Sequence, residues 1–133
     1  LTFNGIGRHQ SRLVRTRVCS DLSPWLSKCE VGDVHTVAVS HGEGRFVAPD
    51  AVLASMVESG QVCTQYVDDN GRPSMDLSVN PNGSLLAIEG ICSPDGRVMG
   101  KMGHTERSGS GLYKNVGGNL FQPLIEGGVA YFA

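Results

Sequence analysis

Residues 85–106 have the sequence LLAIEGICSPDGRVMGKMGHTE, and this stretch indicates the fold class most clearly. It opens with an apolar run typical of a strand, and Pro94-Asp95-Gly96 predicts a tight hairpin turn into a second strand over 97–102. A glycine-flanked loop carrying His104 and Glu106 follows. Loops at strand ends carry the chemistry in many α/β proteins. The stretch therefore predicts both a sheet and a candidate site at its end.

Working outward, the same patterns predict the remaining elements. Strands are predicted over 12–18, 34–40, 62–67 and 85–91, in addition to the one over 97–102. The spacing of apolar residues predicts an amphipathic helix over 49–59 that ends at Gly60, and Ser23 with Pro24 is typical of a helix start. The tail from Tyr113 is rich in glycine and ends in a short apolar stretch. Together these elements predict a mixed α/β protein with more strand than helix.

Composition and charge limit the class of protein. The chain has 133 residues, of which 40% are hydrophobic and 18% charged, as expected of one globular domain. A net charge of -2 argues against a nucleic-acid or anionic-membrane surface. No apolar stretch approaches the ~20 residues that cross a bilayer. The four cysteines lack Cys-x-x-Cys or zinc-type spacing, so we expect no metal site, reduced thiols and a cytoplasmic protein.

His104 and Glu106 are separated by one residue just past a predicted strand. At this spacing the carboxylate can orient the imidazole, and the imidazole can act as a general base. The alternative is a surface histidine beside a solvated Glu-Arg pair. The pair makes two thirds of a catalytic triad, so its meaning depends on finding a nucleophile.

No cysteine of the chain lies in a sequence typical of a nucleophile. A catalytic cysteine on a sharp strand-to-helix turn needs small neighbours and a following helix. Cys63 lies inside a strand pattern, Cys92 is followed by Ser93-Pro94, and Cys19 ends a strand without such a turn. These thiols are better interpreted as packed in the core.

A second polar loop, His41-Gly42-Glu43-Gly44, also follows a predicted strand. Its glycines would let backbone amides face a carboxylate or an oxyanion. The alternative is a turn whose histidine and glutamate are solvated.

Several ordered motifs over nearly the whole chain resemble one family, the glutaminase domain of phosphoribosylformylglycinamidine synthase, a class I (triad) glutamine amidotransferase. The motifs are NGIGRHQSRLVRTRV at 4–18, HGEGRF at 41–46, YVDDNG at 66–71, NPNGS at 80–84, IEGICSPDGRV at 88–98 and MGHTER at 102–107. The resemblance implies a three-layer α/β fold of the flavodoxin-like type around a mixed sheet. Residues 1–133 match the C-terminal part of a single such domain, so we expect the fold to be incomplete.

The resemblance also implies roles for individual residues. His104 corresponds to the general base and Glu106 to its orienting carboxylate; Thr105 stands where the family usually has proline. His41, Gly42 and Glu43 correspond to a second active-site loop that we expect to contact substrate. The family's nucleophilic cysteine lies upstream of the segment that matches Asn4. We therefore expect this chain, which opens on Leu1, to be a piece of a longer protein and inactive alone.

In that family, ammonia released from glutamine is passed to a synthetase domain, which uses it in the ATP-dependent amidation of formylglycinamide ribonucleotide. The implied partners are glutamine and the synthetase, and ATP and magnesium belong to the synthetase region. Two other classes stay open: a non-catalytic docking module of a synthetase, and a cysteine hydrolase that uses Cys63 or Cys92. An incomplete domain should also expose a sheet edge or apolar face and tend to self-associate.

Overall fold

The computed structural model describes residues 1–133. The strands are β1 (Gln10–Val18), β2 (Val34–His41), β3 (Val62–Tyr66), β4 (Ile88–Cys92) and β5 (Met99–Lys101), and the helices are α1 (Asp50–Glu58) and α2 (Leu124–Phe132). Two short 3-10 turns lie at Pro24–Leu26 and Leu85–Ala87. None of the helices has the length and apolar character that crossing a bilayer requires. The predicted α/β class is thus confirmed, with strand outweighing helix.

The five strands form one antiparallel sheet in the order β2-β1-β3-β4-β5. The two edge strands nevertheless approach each other. An antiparallel bridge pairs Ala38 of β2 with His104, which lies just after β5. The sheet is therefore curled so strongly that its opposite edges nearly close. This curl, which follows from the twist and bulges of antiparallel sheets, creates the candidate site.

Three apolar clusters hold the curled sheet together. They are Val14, Val37, Val39, Tyr66 and Ala87; Val18, Leu26, Cys63, Cys92 and Leu124; and Leu53, Val62 and Ile88. The first contains Val37 and Val39, which are alternate residues of β2, and Val14 of β1, which pairs with Val37, so these side chains lie on one face of the sheet. The third includes Leu53, the buried residue of α1, so this cluster packs the helix against β3 and β4.

The strand predicted over 85–91 is shorter than expected at its start. Leu86 and Ala87 have φ angles of 51° and 54°, in the left-handed region that a strand cannot include. The side chain of Ala87 is buried in the first core cluster, and the Leu86 carbonyl accepts a hydrogen bond from Gln65. These tertiary contacts hold a turn where the apolar sequence alone predicts extended chain, and β4 begins at Ile88.

The helix start predicted at Ser23 and Pro24 yields only a single 3-10 turn. Ser23 does not cap this turn through its side chain; its hydroxyl instead donates to the carbonyl of Gly96 at 2.8 Å. The hydroxyl is therefore used to tie the turn to the hairpin between β4 and β5.

Helix α2 lies in the tail for which the sequence predicts no element. It contains Gly127 and Gly128, and adjacent glycines disfavour a helix. Both pack so closely on Trp25 that a Cβ atom at either position would collide with it. Tertiary packing on Trp25 therefore overrides the local preference.

Several apolar side chains of α2 are exposed. Ile125 and Val129 each have 60% of their surface exposed, and Tyr131 has 56%. The predicted exposure of an apolar face is thus observed, whereas self-association stays a prediction.

Candidate active site

His104 is fixed by backbone contacts from both edges of the curled sheet. His104 follows β5 after Met102 and Gly103, and its backbone N–H donates to the carbonyl of Ala38 in β2 at 2.8 Å. A residue larger than Gly103 would force its neighbours to move, since a Cβ atom there would lie 2.6 Å from a methyl group of Val37. The close approach of β2 and the loop therefore places the imidazole.

The structure brings His104 and Glu106 together as the sequence predicts. The distance from His104 Nδ1 to Glu106 Oε1 is 2.6 Å. Because Nδ1–H is donated to the carboxylate, Nε2 carries the lone pair and is the atom able to accept a proton. Nε2 is buried and makes no hydrogen bond within the chain. An imidazole held in this tautomer is able to act as a general base.

The pKa of Glu106 is lowered, chiefly by the hydrogen bond from His104. Since its folded-state pKa lies below its unfolded value, the stabilising contact is present at neutral pH and is lost as the pH falls through the lowered pKa.

A ¹³C NMR titration of the Glu106 carboxyl should show a midpoint below its ordinary range. The midpoint should move up in a His104→Ala variant. An unchanged midpoint in that variant would contradict the contact.

His41 lies directly against the candidate base. Its ring stacks on the ring of His104, with the centroids 4.9 Å apart and the planes at 10°. His41 Nε2 lies 2.5 Å from the carbonyl oxygen of Met102, so the second histidine is oriented by the loop that precedes the first. The sequence predicts a substrate contact for His41; the structure places it close enough to position His104. Glu43 is exposed and forms no ion pair.

Asn4 anchors the second loop, although the pattern of residues around it does not indicate a site residue. Its side-chain oxygen accepts from the backbone N–H of Gly44 at 3.0 Å, and its amide group donates to the carbonyl of His41 at 2.6 Å. The N–H of Gly44 is therefore already used and does not face a carboxylate or an oxyanion. The one signal for Asn4 in the sequence is its place at the start of the motif at 4–18.

The asparagines of the 80–84 turn have different roles. Asn80 bonds the backbone of its own turn at Ser84, as asparagine commonly does in turns. Asn82 instead reaches across the fold: its amide donates to Asn4 at 2.6 Å, and its oxygen accepts from the hydroxyl of Tyr66 at 3.1 Å. Asn4 and Asn82 thus form one buried polar network behind the loop that carries His41.

None of the four thiols contacts His104. Cys63 and Cys92 lie in the second apolar cluster, and Cys19 donates to Arg17 and Gln65. Burial raises the pKa of the thiols of Cys19, Cys29 and Cys63. The structure also shows no group of His, Cys, Asp or Glu side chains arranged to hold a metal ion. Among the described side chains, none lies in place to act as nucleophile toward the base.

A model of the CobB/CobQ-like glutamine amidotransferase domain matches residues 1–125. The chain belongs to this family. The match includes both edges of the amidotransferase's curled sheet and the loops that carry His41 and His104.

Curated relatives of the amidotransferase chain share its sequence over most of its length. A phosphoribosylformylglycinamidine synthase subunit PurQ from Gloeobacter violaceus is 37% identical over 80% of this chain and 46% of its own length. The subunit from Methanosarcina mazei is 36% identical over 95% of this chain and 54% of its own. The synthase of Drosophila melanogaster is 51% identical over 54% of this chain and 5% of its own. The chain spans about half the length of the curated PurQ relatives it matches.

A solved structure supports the same assignment of fold. A chain in the structure of PurLQS from Thermotoga maritima superposes on all of this amidotransferase chain with a TM-score of 0.71 and 26% identity, and 52% of that chain is covered. The predicted class I amidotransferase fold is confirmed. The resemblance to phosphoribosylformylglycinamidine synthase is confirmed as well.

Proposed function

We propose that this chain supplies the general base and its orienting carboxylate in the glutaminase site of a phosphoribosylformylglycinamidine synthase. The observation that carries the proposal is the 2.6 Å contact between His104 Nδ1 and Glu106, which leaves Nε2 as the proton acceptor. His104 deprotonates a cysteine thiol, and the thiolate attacks the side-chain amide of glutamine. The protonated imidazole then gives its proton to the leaving ammonia, and Glu106 stabilises the imidazolium.

The nucleophile in this proposal comes from residues other than 1–133. Support comes from the four thiols of the chain, none of which contacts His104. The proposal therefore expects the 133 residues alone to release no ammonia from glutamine. A coupled glutaminase assay that compares the intact enzyme with its His104→Ala variant tests whether His104 is the general base.

The ammonia is used by a synthetase partner in this proposal. Support comes from the similar proteins, which include PurQ subunits of phosphoribosylformylglycinamidine synthase and a chain in the structure of PurLQS. ATP and magnesium act in that synthetase, where they activate formylglycinamide ribonucleotide for amidation. His41, Gly42 and Glu43 remain the proposed loop for contact with glutamine, and the cytoplasm remains the proposed location.

The alternative of a hydrolase that uses an internal cysteine can be tested by thiol labelling, because it requires Cys63 or Cys92 to be reactive in the native protein. We expect Cys63 and Cys92 to resist iodoacetamide in the native protein, because both are buried and burial raises the pKa of Cys63 above the ordinary value of a thiol. Mass spectrometry after a timed exposure measures the modification. Both thiols should react after denaturation, which is the internal control. Native-state labelling of either residue by a thiol-reactive glutamine analogue would support the alternative.

A further inference from the structure

A buried carboxylate lies at the base of the loop that carries His104. The side chain of Glu89, in β4, has no exposed surface. Its Oε2 accepts from the hydroxyl of Thr64, and its Oε1 accepts from the backbone N–H of Gly103, both at 2.5 Å. A buried carboxylate is stable only when it is hydrogen-bonded or paired with a cation. Glu89 has both kinds of partner, since an ammonium group lies nearby.

That ammonium group belongs to Lys101, whose Nζ lies 3.7 Å from Glu89 Oε1 and whose side chain is only 10% exposed. Nζ donates to the hydroxyl of Thr105 at 3.1 Å and to the side-chain oxygen of Gln122 at 2.7 Å. The Thr105 hydroxyl in turn donates to the same oxygen of Gln122 at 2.9 Å. Lys101 therefore joins the inside of the sheet, the loop and the segment before α2.

The network ends on the residue between the two members of the proposed acid–base pair. Thr105 separates His104 from Glu106, so fixing its side chain fixes the backbone that carries both. Gly103, which precedes His104, is fixed by Glu89 through its N–H. The loop is thus held from both sides of His104 by groups that trace back to one buried ion pair.

We propose that Lys101, anchored by Glu89, is a positioning residue for the His104–Glu106 pair and acts through the hydroxyl of Thr105. The proposal rests on the proposed function. A proline at position 105 would restrict this backbone covalently, because its ring fixes φ. In this chain the backbone is instead restrained through the Thr105 side chain, which accepts a hydrogen bond from the buried ammonium of Lys101 and donates one to Gln122. A hydrogen bond from a charged group is stronger than one between neutral groups.

The test uses the intact enzyme with two substitutions at one position. Thr105→Val removes the hydroxyl and keeps the shape, whereas Thr105→Ser keeps the hydroxyl. We expect Thr105→Val to lower kcat for glutamine hydrolysis about 10-fold with KM unchanged, since small misplacements of catalytic groups cost up to about 100-fold. Thr105→Ser should stay within about 2-fold of the parent, because its hydroxyl can make the same hydrogen bonds. Amidation from added ammonia should be unchanged in both.

A third variant tests the cation itself. Lys101→Met keeps the aliphatic stem and removes both hydrogen bonds, and it should lower kcat at least as much as Thr105→Val. If it fails to fold, the Thr105 pair still decides the question. Equal kcat in the valine variant and the parent would overturn the proposal, and so would equal losses in valine and serine or a change confined to KM.

The reference variant is His104→Ala, which separates two kinds of failure. If it abolishes glutaminase activity while Thr105→Val does not lower it, the positioning role is wrong and the base assignment stands. If His104→Ala leaves activity intact, the proposed function is wrong, and the role of the network as a positioning device is overturned with it.

Discussion

Replacing His104 by alanine should abolish ammonia release from glutamine in the intact enzyme while amidation from added ammonia continues. We expect glutaminase kcat to fall by about 10³-fold, because a positioned general base contributes about 10²–10⁴-fold. His104 is the histidine whose Nδ1 is held by a carboxylate and whose Nε2 is left to accept a proton. A coupled assay of glutamate formation measures the loss.

The matched control is His9→Ala. His9 is exposed and hydrogen-bonded to Ser40, and it contacts neither Glu106 nor His104. Its replacement should leave glutaminase activity within about 2-fold of the parent, as for most surface substitutions. Unchanged activity in His104→Ala would instead favour a docking module, since the fold would then be present without a working acid–base pair.

Replacing Gly103 by alanine should destabilise the fold by about 2–3 kcal/mol, the upper part of the range for overpacking a buried site. A Cβ atom at this position would lie 2.6 Å from a methyl group of Val37 and 2.8 Å from Glu89 Oε1. Both Val37 in β2 and the buried carboxylate must then give way, and moving the carboxylate weakens its bond to the Gly103 N–H. Urea unfolding of the 133-residue chain, followed by circular dichroism, measures the change.

Gly100→Ala is the matched control, because the same substitution three residues earlier meets no atom within 4 Å. Gly100 is exposed in β5, where alanine costs less backbone entropy than glycine, so stability should be unchanged or slightly higher. Equal destabilisation by both substitutions would show that the close contact between β2 and the loop is not the reason that a side chain at position 103 is destabilising.

Much of the local structure could be predicted from residue patterns. Strands β1, β2 and β3 and helix α1 lie within a few residues of their predicted positions, because each has a clear apolar period bounded by turn residues. The turn at 85–87 and helix α2 could not be predicted in this way. Both depend on contacts with distant residues, Gln65 and Trp25 respectively, which override the local preference.

The candidate site divides in the same way. The contact between His104 and Glu106 was predicted because the two residues are separated by only one position. The other contacts of the site join residues that are far apart in the chain, namely those of Asn4, His41 and Lys101. The sequence around each of these residues therefore does not indicate how close it lies to His104. Spacing along the chain can indicate a local pair, and it cannot indicate which loops meet.

The sequence by itself determined the family, the strands and the His104–Glu106 pair, because ordered motifs and short spacings are local properties of the chain. The tertiary structure alone decided that β2 and β5, at opposite edges of the sheet, approach each other. The curl of the sheet joins Ala38 to His104 and stacks His41 on the candidate base. Such closure depends on the summed twist of five strands and on packing between distant residues, and no single stretch of sequence contains it.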